Sequence, residues 1–164
     1  DMKFFSPKNK SGFTLIEILV VIGIIAVLAA IVIIAINPAR QFAQARNAQR
    51  VSNVNTILNA IGQNMADNKG IWTCKDGAGN FVYFNGSSAS TSIGTTAGAT
   101  FSDLSCLAPT YIASGIPQDP NGGTLADTKY TISTTTTGSV MICAPLSAEP
   151  AISTPPPAPI CVIR

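Results

Sequence analysis

Histidine is missing from this chain altogether, and Asp, Glu, Lys and Arg together supply only 11% of its 164 residues. The first absence removes the imidazole on which Ser/His/Asp and Cys/His nucleophilic sites depend. The sparse carboxylates show no pairing that suggests acid–base work. The sequence reads as that of a non-enzyme with no cofactor. No C-x-x-C pair occurs, and without histidine zinc is the weaker reading of the four cysteines. Nor is there a surplus of positive charge: the formal net charge is +2. Residues 1–12 carry three of the ten basic and one of the eight acidic side chains, so seven of each remain beyond them. A strongly electropositive nucleic-acid surface is not indicated by that count, although it leaves a local patch open. A length of 164 residues suits one compact domain with an appendage.

What is present in excess is apolar sequence, gathered into one early block. Phe13 to Ile36 contains 24 residues, among which Glu17 alone is charged. At ~1.5 Å per helical residue the block reaches about 36 Å, enough to cross a hydrocarbon core of roughly 30 Å with some tilt. Lys3, Lys8 and Lys10 precede it, an arrangement that holds that end in the cytoplasm and places the remainder outside. Met2 is read as the initiator, with Asp1 ahead of it unexplained.

The exported part carries Cys74, Cys106, Cys143 and Cys161. An oxidising compartment favours disulfides there. Four cysteines allow three pairings, of which Cys74–Cys106 with Cys143–Cys161 closes the smaller loops.

Beyond the apolar block the sequence turns amphipathic without losing helical character. Val51, Val54, Leu58, Ile61 and Met65 recur at spacings of three and four, a stripe suited to packing on its own domain or to docking a partner. Asn68, Lys69 and Gly70 signal the end of this helix. Gly23 and Pro38 are the positions where the rod should bend, Pro38 because it removes a donor and crowds the carbonyl of Ile34. Arg40, Arg46 and Arg50 read as solvated anchors beside a span, or as contacts for lipid headgroups or neighbouring subunits.

After Gly70 the composition shifts to Gly, Ser, Thr and Asn with short alternating runs, predicting a small antiparallel sheet. Expected strands are Ile71–Lys75, Phe81–Phe84, Lys129–Thr134 and Val140–Cys143. Gly77, Gly79 and Asn80 would turn the first pair, and Thr134–Gly138 the second. Gly86 to Thr100 reads as an exposed loop and Thr154 to Pro159 as a stiff connector. The fold expected is α+β: a long N-terminal helix, apolar in its first half and kinked near Pro38, packed on a small sheet. Its divisions are a leader at 1–12, an apolar membrane or filament-core helix at 13–36, an amphipathic continuation at 37–69 and a β-rich domain with a proline-rich C-terminal segment at 70–164.

Two short motifs have both plain and functional readings. Pro117 to Gly122 needs only turn chemistry, yet Asp119, Asn121 and Asp127 offer oxygens of the kind calcium takes; six or more would be required, so no metal is assigned. Asn85–Gly86–Ser87 fits an N-glycosylation sequon beside a Ser/Thr-rich stretch suited to O-linked sugars.

Gly12–Phe13–Thr14–Leu15–Ile16–Glu17, behind a lysine-bearing leader and opening the apolar block, resembles the processing signature of type IV prepilins. The likeness is specific over residues 11–33 and weaker through Arg40–Arg50. It departs from the commonest pattern in having Ile34 where a proline is usual and glycine at 23 rather than 26. The resemblance implies cleavage after Gly12 by a prepilin peptidase and methylation of the new amino terminus at Phe13. It further implies a precursor in the inner (cytoplasmic) membrane, handled by pilus assembly machinery, that joins copies of itself in an extracellular helical filament. Glu17 would face the Phe13 amine of an adjoining copy; alternatively it snorkels, or bonds its own Phe13 amine one turn away. A major pilin is the leading expectation, and a type II secretion pseudopilin or a minor or competence pilin the alternative.

Overall fold

The computed structural model describes residues 12–82, 90–95 and 101–164. The leader apart from Gly12, the end of the expected strand at Tyr83 and Phe84, and the sequon at Asn85 lie outside the described residues. The chain divides into two compact units, residues 1–38 and 39–164.

The described residues of the first unit hold the helix α1, from Leu15 to Ala35, with none of its residues buried. β-branched and leucine side chains cover its whole circumference, so it has no polar face to turn outward. The helical hydrogen-bond ladder passes through Gly23 without a break. It ends with the Ile36 N–H donating to the Val32 carbonyl at 3.0 Å, and Ile36 itself is extended. The long N-terminal helix is interrupted where its kink was expected, with α1 ending at Ala35 and α2 beginning at Pro38. A proline biases its predecessor, here Asn37, away from helical geometry, while its missing N–H is harmless at a first helical position.

The second unit is an α+β domain in which α2, Pro38–Asp67, supports a five-stranded sheet. The strands are β1 Thr91–Ile93, β2 Phe101–Ser102, β3 Thr131–Thr134, β4 Val140–Ala144 and β5 Ile160–Ile163, in the order β2-β1-β3-β4-β5. β3, β4 and β5 run antiparallel to their neighbours, as β3 does to β1, whereas β1 and β2 are parallel, so the sheet is mixed. The third and fourth expected strands correspond to β3 and β4. Among the described residues of the first two, 71–75 and 81–82, no strand is present: Lys75 and Phe81 make an isolated bridge around a turn in which the Asp76 carboxylate accepts from the Ala78 and Asn80 amides at 3.0 and 2.8 Å. That Asx turn satisfies the backbone locally and leaves a ladder little to add. β1 lies inside the stretch read as a loop, and only Ile93 of its three residues is buried, too little alternation to show as a pattern.

Val54, Ile57, Leu58, Ala60 and Ile61 of α2 enter the core with Ile93, Leu104, Leu107, Tyr130, Ile132 and Ile142. Val51, expected on that stripe, is 42% exposed, because the buried line runs through Arg50 instead. α2 stops at Asp67; Lys69 and Gly70 both take positive φ, and the Gly70 amide reaches back to the Met65 carbonyl at 2.7 Å. Disulfides join Cys74 to Cys106 and Cys143 to Cys161, the latter between directly paired residues of β4 and β5.

Candidate functional site

The chemistry that distinguishes the first unit is concentrated at its beginning. Thr14 is the N-cap of α1, extended in backbone, and its hydroxyl accepts from the Glu17 amide at 3.3 Å. In return Glu17 Oε2 accepts from both the Thr14 amide and the Thr14 hydroxyl at 2.8 Å. This reciprocal capping box answers amides that would otherwise be orphaned at the helix start. The lone carboxylate of the apolar block thus has a local structural role, at the end of the helix where a negative charge complements the dipole.

Around it the surface is apolar. Phe13 is 85% exposed, and the aliphatic side chains of α1 are half or more exposed along its length. Gly12 is exposed, and an added Cβ there would meet nothing within 4 Å. Among the described residues nothing demands glycine at this position. The helix is long and apolar enough to cross a membrane.

The domain carries a second cluster, which the sequence alone did not disclose. Arg50, with no side-chain exposure, forks onto Asp119, Nε to Oδ2 at 2.7 Å and Nη2 to Oδ1 at 2.9 Å. Its Nη1 also donates to Glu149, which in turn holds Arg46 through Nε at 2.9 Å and through Nη2. Asp119 is presented by a tight turn in which its Oδ1 takes the Asn121 amide at 2.8 Å. Gly123 closes that turn, where a Cβ would come within 2.4 Å of the Asp119 nitrogen. Hydrogen bonding from Arg46, against the opposing effect of burial and aided by Arg50, lowers the Glu149 pKa to about 2. The Asp119 fork raises that of Arg50.

Arg50 is therefore a buried ion-pair partner rather than a solvated anchor, and Arg46 a part-exposed one paired with Glu149. Charge type alone does not separate these readings; the signal was position, since Arg50 stands four residues before Val54 on the core-facing line. The same cluster answers the calcium reading. Both oxygens of Asp119 are engaged by Arg50, and Asp127 pairs with Lys129 at 2.5 Å. No group of three or more potential metal-ligating side chains occurs among the described residues.

The first unit is thus an apolar helix with no buried residue, capped by its one carboxylate, and the second an α+β domain. Residues 7–36 match the family described as the prokaryotic N-terminal methylation motif, which indicates a type IV pilin-like prepilin. Such motifs mark structural, pilin- or pseudopilin-type precursors. No curated protein and no solved structure matches the chain.

Proposed function

We propose that the protein is the major structural subunit of an extracellular type IV pilus. Residues 1–12 are its leader, 13–36 its membrane and filament-core helix, 37–69 the amphipathic continuation and 70–164 the outward β-rich domain. The observation that carries this reading is the Gly12–Phe13 junction placed one turn ahead of a fully exposed apolar helix. A prepilin peptidase cuts after Gly12, the new Phe13 amine is methylated, and the assembly machinery moves the subunit from the inner membrane into the growing fibre. The apolar helix exchanges lipid for neighbouring helices, so its burial is maintained throughout. A contact repeated head to tail without closure generates a helical polymer.

Cleavage changes what Glu17 faces. In the precursor the Thr14 amide and hydroxyl satisfy it. After cleavage a cationic amine is created at Phe13, and Glu17 of one copy pairs with the Phe13 amine of the next, drawing the incoming subunit into register. Incubation of the membrane-inserted chain with a prepilin peptidase should yield an N-terminus at Phe13. Glu17→Ala should still insert and be cut, yet produce few filaments in electron micrographs of sheared surface fractions. An uncut chain would sink the processing claim, and normal filament numbers from Glu17→Ala the pairing claim.

A further inference from the structure

α2 is docked to its domain by two different chemistries. From Val54 onward the contact is mainly apolar, through Ile57, Leu58, Ala60 and Ile61, with Asn64 accepting from the Thr73 amide and hydroxyl at 3.3 Å and Asn59 accepting from Arg164. Before Val54 it is polar. Arg46 and Arg50 reach Glu149 and Asp119, the Asn47 amide donates to the Ser147 carbonyl at 3.0 Å, and the Asn53 amide donates to the Gln118 carbonyl at 3.1 Å and the Tyr130 hydroxyl at 2.9 Å. Ala43 alone adds a fully buried apolar side chain to this first half.

We propose that residues 39–53 form an arm that separates from the domain as an intact helix while residues 54–67 stay docked, and that the Arg50–Asp119–Glu149 cluster is the latch controlling the separation. Three observations favour this division. Undocking the apolar half exposes core surface to water, a loss with no compensating partner. Undocking the polar half returns two carboxylates and two guanidiniums to water, whose hydration nearly balances the ion pairs given up. The arm also needs no domain to remain helical over short times, since ten of its fifteen residues are Ala, Gln or Arg, all strong helix formers. The two acidic partners stand on separate loops, around 119 and 149, so release of the arm frees both loops together. This device stands whether or not the chain polymerises.

Thiol accessibility tests it in the full-length, disulfide-intact chain held in detergent micelles. Ala43→Cys and Ala60→Cys place single thiols at positions that are 0% and 1% exposed. With an alkylating maleimide under non-reducing conditions, the thiol at 43 should react at least about tenfold faster than the thiol at 60. Adding Glu149→Gln or Asp119→Asn should accelerate the reaction at 43 by about a further tenfold and leave that at 60 unchanged. Equal rates at the two thiols, or an acceleration shared by both, would mean that the arm opens only when the whole domain does, overturning the proposal. No acceleration at 43 would remove the ion cluster from the role of latch. Glu149→Gln, at the partly exposed end of the cluster, keeps the measurement available if Asp119→Asn does not fold.

Discussion

α1 and the domain invert one another. In α1 every apolar side chain lies on the outside and the one carboxylate is engaged in the helix's own cap. In the domain a core of aliphatic side chains is inside, although Ile71, Leu125 and Ile163 stay exposed, and inside too are the side chains of an arginine and an aspartate. The difference shows where each region's stability comes from. The domain supplies its own burial through its core, its disulfides and a satisfied buried charge cluster. α1 satisfies only its backbone, and its side chains require an apolar environment from outside, lipid first and neighbouring helices later in the proposed filament.

The largest way to break this contrast is to make one change in both regions. Ile57→Ala, at a fully buried position of α2, should cost the domain about 2–5 kcal/mol in denaturant unfolding. Ile25→Ala, at a position 58% exposed on α1, should change that same unfolding free energy by less than about 0.5 kcal/mol. Comparable losses would show that α1 is part of the domain's stability after all. Next in size is a charge in the middle of α1. Val27→Asp should disfavour insertion by roughly 2.5–3.5 kcal/mol, read as a shift of the chain into the soluble fraction, while the domain keeps its native unfolding midpoint.

The smallest effect concerns acid. Glu149 has its pKa lowered from the ordinary carboxylate value of 4.5 to about 2. Its contribution to stability is therefore full above pH 4.5 and declines as the pH falls through about 2. Melting temperatures between about pH 5 and pH 2 should fall for the parent chain and fall less steeply for Glu149→Gln, which has no carboxylate to protonate. Parallel curves would assign the acid sensitivity to other groups.

Much of α1 was readable directly, through the apolar run and the interruption near Pro38, although Glu17 was read for its pairing with the Phe13 amine and not as half of a cap with Thr14. Every determinant of those features lies within four residues of its partner. The core half of α2 was legible for the same reason, through the spacing of Val54, Leu58 and Ile61. The sheet was legible only where a hairpin is local, at β3 and β4, whose turn closes with the Thr135 amide on the Ser139 carbonyl at 2.8 Å. β1 pairs with a strand some forty residues on, and β5 follows a proline-rich stretch, so neither announces itself in its own residues.

The sequence by itself determined the apolar helix, its cap and the α+β character of the whole, because these rest on hydrophobicity and hydrogen bonds between near neighbours. Only the tertiary structure decided that Arg50 is buried, since its carboxylate partners lie 69 and 99 residues further along the chain. An isolated arginine is as compatible with water as with a buried fork, and it is the arrival of Asp119 and Glu149 on two separate loops that offsets the cost of taking its charge out of water.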